Sequence, residues 1–328
     1  KLEKHLAKRC KRKFAMMTSS CTDALYFSLK AAGVGKGDEI PVTSFSFISS
    51  ASCILRTGAI PVFTDIDPVS YMMDLSSLEK YISPQTKAIV AVHLNGQTLP
   101  FDKLREFAAK HKLSIIEDAA QALGASWNGE PAGSAGKISC LSFDPTKIVG
   151  GYGTAGAVLT DNPEYAEKIR MLRYHGRNNN REYETEGYNS HPSCWQAALI
   201  DMQLANLDQI ISGRNRVAER YTKQLSAIGK IKLPVILPVN RHNFHKYIIR
   251  VEKRDDLKKH LTVHGIETMI HYPAPLSSQP VFKDFTSRFP LVNAEKAAKE
   301  VLSLPVYPEL TDGEIDYICE KINEFYKN

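Results

Sequence analysis

Apolar positions in the first half of the chain form short blocks between polar turns, and in the second half they form longer helical patterns. Residues 23–33 read as a helix with Leu25, Leu29, Ala31 and Ala32 on its apolar face. Residues 39–42 and 60–63 read as short strands, with a helix over 47–56 between them and a helical turn over 78–82. The unbroken apolar run at 88–94 suits a strand covered on both faces. A helix over 101–111 and strands over 113–116, 138–143 and 155–159 continue the rhythm. This alternation predicts an α/β fold with a mostly parallel sheet wrapped by helices.

Beyond Pro163 the pattern turns helical, and Pro192 marks the start of a long segment running from 195 towards 225. Leu199, Met202, Ile210 and Val217 are assigned to one face of it, which Asn206 interrupts. A smaller mixed region follows, with a strand over 247–251 and a last helix over 314–326. The length of 328 residues suits two domains, placed here at 1–210 and 211–328.

Composition narrows the class. Hydrophobic residues make up 43% and charged residues 24%, ordinary for a globular protein with a sizeable core. The net charge is +6, and residues 1–13 alone carry seven bases against Glu3, so the rest of the chain is balanced. The basic excess is terminal, expected to be a solvated helix face and not a nucleic-acid footprint. The longest uncharged run, 40–55, is too short and too rich in Ser and Thr to cross a membrane, and the apolar stretch at 14–17 ends too soon for a signal peptide. Cys10, Cys21, Cys53, Cys140, Cys194 and Cys319 are scattered, without a C-x-x-C pair or a disulfide framework. A reducing, cytoplasmic setting is expected. No repeat or low-complexity segment is present.

Three segments could carry chemistry. Residues 113–116 lead into Glu117-Asp118, an acid at a strand's carboxyl end where open α/β sheets bind ligands; a helix cap or surface carboxylate is the plainer reading. Lys147 follows a Pro turn after the strand at 138–143 and precedes Gly150-Gly151-Tyr152-Gly153, whose glycines allow close backbone approach to a ligand. Lysine forms Schiff bases, although a lone loop lysine is usually only solvated. Residues 18–23 (TSSCTD) open a helix and could bind an anion, or Thr22 could simply cap it.

Together these segments resemble a known family. Thr22-Asp23-Ala24-Leu25, Phe45-Ser46-Phe47, Pro61-Val62-Phe63-x-Asp65-Ile66-Asp67 and Val92-His93-Leu94-x-Gly96-Gln97 occur in order. Then come Ile116-Glu117-Asp118-Ala119-Ala120-Gln121-Ala122, Ser142-Phe143-x-Pro145-Thr146-Lys147, Leu172-Arg173-x-His175-Gly176, Gly187-x-Asn189, Gln196-Ala197-Ala198 and Ile270-His271-Tyr272-Pro273. Over nearly its whole length the chain resembles the DegT/DnrJ/EryC1/StrS family of pyridoxal-phosphate-dependent sugar aminotransferases. The resemblance implies a fold type I transferase: a large domain with a mostly parallel mixed sheet between helices, and a smaller C-terminal α+β domain.

It also implies site roles. Lys147 matches the lysine that bonds pyridoxal 5'-phosphate and shuttles the proton. Asp118 matches the carboxylate facing the pyridine nitrogen, Gln121 the partner of the phenolic oxygen, and Phe47 the aromatic stacked on the ring. Thr22, Ser142 and the backbone of Cys21 match phosphate contacts. Asn189 matches an asparagine reaching the phosphate of a neighbouring subunit, which implies a homodimer with shared active sites. The implied reaction transfers an amino group, drawn from L-glutamate, to a keto-sugar, nucleotide-linked for preference, in amino-sugar biosynthesis for surface polysaccharides or natural products. No nucleic-acid, membrane or metal partner is implied.

Alternatives are a keto-sugar without a nucleotide, a pyridoxamine-dependent sugar dehydratase, in which His replaces the lysine, and a non-enzymatic regulator on the same scaffold. The chain departs from the family pattern at Asp144, Lys137, Thr154-Ala155, His191-Pro192 and Ser277, several of them near the substrate side. It begins at the family's first Leu-Glu helix, which a further segment commonly precedes. His242, His245 and His271 lack the companions of a metal site. Arg173, Arg177 and Lys246 are candidates for binding a diphosphate.

Overall fold

The computed structural model describes residues 1–285 and 287–327. In chain order the elements are α1 (Leu2–Arg9), β1 (Phe14–Thr18), α2 (Cys21–Ala31), β2 (Glu39–Thr43), α3 (Ser49–Arg56), β3 (Ile60–Thr64), β4 (Ala88–Val92) and α4 (Phe101–Lys110). β5 (Ser114–Asp118), the two-residue strands β6 (Ser126–Trp127) and β7 (Glu130–Pro131), β8 (Ile138–Ser142), β9 (Gly156–Thr160) and α5 (Pro163–Arg173) follow. The remainder is α6 (Cys194–Ala205), α7 (Leu207–Leu225), β10 (Asn240–Arg241), β11 (Tyr247–Arg250), α8 (Arg254–Val263), α9 (Val292–Glu300), β12 (Val301–Leu304) and α10 (Asp312–Lys327).

Seven strands form one sheet in the order β1-β9-β8-β5-β4-β2-β3. From β8 to β3 the pairs are parallel; β9 runs antiparallel to both β8 and β1. Side-chain alternation covers both faces. On β1, Met16 joins the cluster containing α2 and α5, while Ala15 and Met17 join the cluster containing α1 and α6. A third core lies between α7, α8, α10 and the antiparallel pair β11–β12. Helix α7 enters both: Leu207 and Ile211 pack with the main sheet, and Val217, Ala218, Tyr221 and Leu225 pack in the third core. The chain then returns, because Leu276, Phe282 and α9 pack against the main-sheet cluster.

Several expectations need correction. The segment at 195–225 is two helices broken at Asn206, and the proposed shared face does not exist. The buried positions of α6 are Gln196, Ile200 and Leu204, whereas Met202 is 67% exposed. The turn at 78–82 is one turn of 3₁₀ helix over Leu78–Tyr81. Strand β1, with no alternating pattern because both its faces are covered, was not anticipated, nor were α8, α9 and β12. The basic N-terminus is not merely solvated. Arg9 donates to both Asp208 oxygens at 2.8 and 2.5 Å, and Arg12 donates to Gly133 O at 2.7 Å and pairs with Asp161 at 2.8 Å. No helix among the described residues is long and apolar enough to cross a membrane.

Candidate active site

Strands β4, β5 and β8 run parallel and end at one edge of the sheet, where the loops beyond them gather. On β5, successive side chains point to opposite faces. Glu117 faces the 133–139 segment, and Asp118 faces α3.

The Asp118 carboxylate is buried. It accepts from Ser50 Oγ at 2.7 Å and from the Ala120 N–H at 3.1 Å. Burial raises its pKa; Ser50, the Ala120 N–H and the Lys147 charge only partly offset this. No cation lies within ion-pair distance of it among the described residues, and the Lys147 charge acts on it only through the field. Gln121 Oε1 accepts from the Asn95 N–H at 2.9 Å, and its Nε2 donates to Tyr272 Oη at 3.1 Å. Asn243 Nδ2 donates to the Gln121 and Leu123 carbonyls at 3.1 and 3.0 Å, pinning this turn to the chain ahead of β11.

Lys147 is half-buried on the loop after β8. Its charge acts on Asp118, Cys21, Asp144, Lys246, His245 and His271, which places these groups around it. The glycines that follow serve packing more than ligand approach. Gln196 of α6 accepts from the Tyr152 N–H at 3.0 Å and donates to Gly153 O at 2.6 Å, and Gln203 donates to Gly150 O at 2.7 Å. A Cβ on Gly150 or Gly151 would meet Pro145 or Gln196. Asp144 accepts from the Thr146 N–H and hydroxyl at 3.0 and 2.7 Å, closing the turn before Lys147.

The start of α2 faces the same edge. Ser20, not Thr22, is the cap, accepting from the Asp23 N–H at 3.1 Å. Thr22 Oγ1 instead bonds Ser49 Oγ at 2.8 Å. A Cβ on Gly156 would sit 2.5 Å from Cys21 N, so glycine lets β9 approach the helix terminus. The Cys21 thiol is buried and its pKa is pushed well up by burial and by Asp118, which keeps it neutral. Ser142, at the end of β8, receives the Asp144 N–H at a long 3.4 Å. Phe47 lies just before α3 and is 56% exposed, so it is not a core aromatic.

Asn189 is exposed and bridges Tyr174 by backbone; its side chain bonds none of the other candidates among the described residues. Its neighbour Ser190 is buried and donates to Asp23 at 2.8 Å. Arg173 is not available to a diphosphate: it is held by Glu3 at 2.6 Å and Met17 O at 2.8 Å. Arg177 lies over the ring of Tyr174 at 5.7 Å. His242 accepts from the Phe244 N–H at 2.8 Å, and His271 Nδ1 lies 2.8 Å from Ser303 Oγ. Among the described residues the group with converging ligand atoms is His260, His264 and Glu324, and Lys321 already pairs with that glutamate. Sequence reasoning missed Ser50, Asn95 and Asn243. No local signal marks them, because each acts through a distant fold contact.

The fold is that of the fold type I aminotransferases. Streptomyces venezuelae DesV, solved in complex with a ketimine intermediate, superposes with TM-score 0.97 at 36% identity, covering 100% of this chain and 88% of that one. The chain belongs to the DegT/DnrJ/EryC1/StrS aminotransferase family, which it matches over residues 1–323. A Geobacillus stearothermophilus pleiotropic regulatory protein is 42% identical over 100% of this chain and 89% of its own length. The S. venezuelae dTDP-3-amino-3,4,6-trideoxy-alpha-D-glucose transaminase is 37% identical over 98% and 86%. Bacillus subtilis NtdA, solved with bound cofactor PMP, superposes with TM-score 0.92 at 34% identity, covering 100% and 76%.

Proposed function

We propose that this protein is a pyridoxal-phosphate-dependent aminotransferase that moves an amino group from L-glutamate to the keto group of a nucleotide-linked sugar. The observation carrying this reading is the buried, cation-less Asp118 within the field of Lys147. A protonated ring nitrogen is the partner such a carboxylate lacks, and Lys147 is the group that would hold the cofactor. The cofactor supplies, when bound, an electron sink for the carbanion formed at the amine-bearing carbon.

The chain's residues do the rest. Asp118 keeps the ring nitrogen protonated, with Ser50 fixing the carboxylate. Gln121, held by Asn95 and Tyr272, orients the phenolic oxygen. Thr22, Ser142 and the free N–H groups at the start of α2 take the phosphate. Phe47 covers the ring. Lys147 Nζ moves the proton at the amine-bearing carbon.

The assembly we infer is a homodimer. Trp195 and Tyr152 are each 82% exposed and Met202 67%, on α6 and on the loop that carries Lys147, large apolar side chains that a partner copy would cover. Exposed Asn189 would then reach the neighbour's phosphate. The transaminase relative supports a nucleotide-linked substrate, and a free keto-sugar is the variant of this reading to test beside it. Lys147 argues against a dehydratase. The 42% identical relative named as a regulator favours a second reading, a regulatory role on the same scaffold.

The test is visible absorbance of the cofactor-loaded protein before and after L-glutamate. Bleaching of the cofactor band, lost in Lys147→Ala, supports the enzyme. A protein that holds no cofactor, or a band indifferent to every amino donor, favours the regulator.

A further inference from the structure

A cleft of about 640 Å³ opens beside the Lys147 loop, between Thr146 and the chain around β11 and β12. Lys246 lines it. The Lys246 backbone N–H donates to Asn95 O at 3.1 Å, which ties it to the loop that also holds Gln121. No carboxylate lies within ion-pair distance of its ammonium among the described residues, and Asp144 acts on it only through the field.

Two further groups on the cleft are incompletely satisfied. Arg214 donates to the Phe244 and Val306 carbonyls at 2.9 and 2.7 Å, yet its Nε is buried without a partner. His245 is buried, and its Nδ1 has no partner. Such orphaned groups are rare in native interiors and mark places where a ligand or water completes the bonding. The two acids of the cleft do not answer them: Glu314 is turned to the Thr311 N–H and hydroxyl at 2.8 and 2.7 Å, and Glu267 is exposed; Asp144, outside the lining, is turned to Thr146.

We propose that this cleft is an oxyanion subsite in which Lys246 binds a carboxylate or phosphate carried in by one of the two reactants. The inference rests on the aminotransferase reading for its purpose, although the anion site itself does not require catalysis. A dicarboxylate donor carries such a group, and so does a nucleotide-linked sugar. Arg214, also on the cleft, adds a second positive charge close to Lys246.

The experiment measures binding of glutarate and of inorganic pyrophosphate to the cofactor-loaded protein by calorimetry, for the wild type, Lys246→Met and Lys246→Arg. We expect one probe to bind the wild type and to weaken about tenfold or more in Lys246→Met, with Lys246→Arg retaining most of the affinity. Loss for glutarate assigns the site to the amino donor, and loss for pyrophosphate to the sugar nucleotide. Equal affinity in wild type and Lys246→Met, or no binding of either probe to the wild type, overturns the proposal. Thermal unfolding of Lys246→Met, with Lys246→Arg as a second variant, separates lost charge from lost fold. Lys246-dependent binding in a protein that ignores glutamate would leave the subsite standing and remove the aminotransferase reading.

Discussion

Glu117 and Asp118 are consecutive on β5, and their carboxylates serve opposite faces of the sheet. Glu117 is saturated: it lies 3.0 Å from His93 Nε2 and accepts from the Gly133 N–H at 2.6 Å, the Ala135 N–H at 2.8 Å and Ser139 Oγ at 2.6 Å. Asp118 has only Ser50 and the Ala120 N–H. The fold satisfies one acid fully and leaves the other with acceptor capacity at the sheet edge.

Asp118→Asn should separate stability from cofactor binding. The folded pKa of Asp118 is raised above its unfolded value, so its contribution to stability is complete at low pH and is lost as pH rises through the folded pKa. At neutral pH the buried, unpaired charge is a cost in the cofactor-free protein. The cofactor-free variant should therefore melt no lower than the wild type at pH 7, while pyridoxal phosphate binds about tenfold or more weakly, as expected for losing one partner of a buried charge pair. A calorimetric scan and a cofactor titration read the two effects.

Glu117→Gln should do the reverse. Burial alone would raise the Glu117 pKa, but His93, Ser139 and the Gly133 N–H hold it at about 2, against an ordinary value of 4.5. Its stabilisation is present above pH 4.5 and is lost as pH falls towards 2. Removing one partner of this buried pair should cost about 3 kcal/mol or more. Urea unfolding at pH 7 and at pH 3.5 should show a difference between wild type and variant that narrows in acid.

Gly96→Ala should damage the site without touching a reacting group. Gly96 has φ +108°, and an added Cβ would collide with Asn243 Oδ1 and the His245 backbone. That contact carries the Asn243 bridge to Gln121. Destabilisation of about 2 kcal/mol or more is expected from the combined strain and overpacking. Denaturant midpoints check it, with Gly129→Ala as the control, since Gly129 also has positive φ but an open surrounding.

Trp195→Glu should split the dimer. Size exclusion with light scattering should give twice the 36.6 kDa chain mass for the wild type and a single chain for the variant. Mixing Lys147→Ala with Asn189→Ala subunits should restore partial activity, because each mixed dimer keeps one intact site. Absence of rescue would argue that Asn189 serves its own subunit.

Oxyanion binding in the Lys246 cleft should fall as pH rises through about 8. Burial, with Lys147 and Arg214 nearby, brings the Lys246 ammonium down to about 8, so it is charged below that value and neutral above it. Asp144 opposes the shift and stays ionised throughout. His271 is pushed down to about 4 and His245 well below its usual range, so both are already neutral. Glu267 and Glu314 complete the charged lining. Pyrophosphate or glutarate affinity across pH 6.5 to 9.5 should show this limb in the wild type, and Lys246→Met should lack it.

By itself the sequence determined the elements whose information is local. The unbroken apolar run at 88–92 is a strand because both its faces are covered, and residues at the carboxyl ends of such strands fall at the ligand edge of a parallel sheet. Those strand ends singled out Asp118 and Lys147 as candidates, and the family resemblance added Gln121. Tertiary structure decided what depends on distant partners. Tyr272 and Asn243 lie 151 and 122 residues from Gln121 and reach it only because the chain around β11 crosses the sheet edge. Ser20 takes the cap because its backbone is extended (φ −159°, ψ 160°), while Thr22, already in the helix, meets Ser49. Met202 points outward because the stripe that α6 buries is Gln196, Ile200 and Leu204, continued past Asn206 by Leu207 and Ile211, and which stripe is buried depends on what packs against it. Periodicity records which residues share a local face; which faces meet is settled only when the whole core packs.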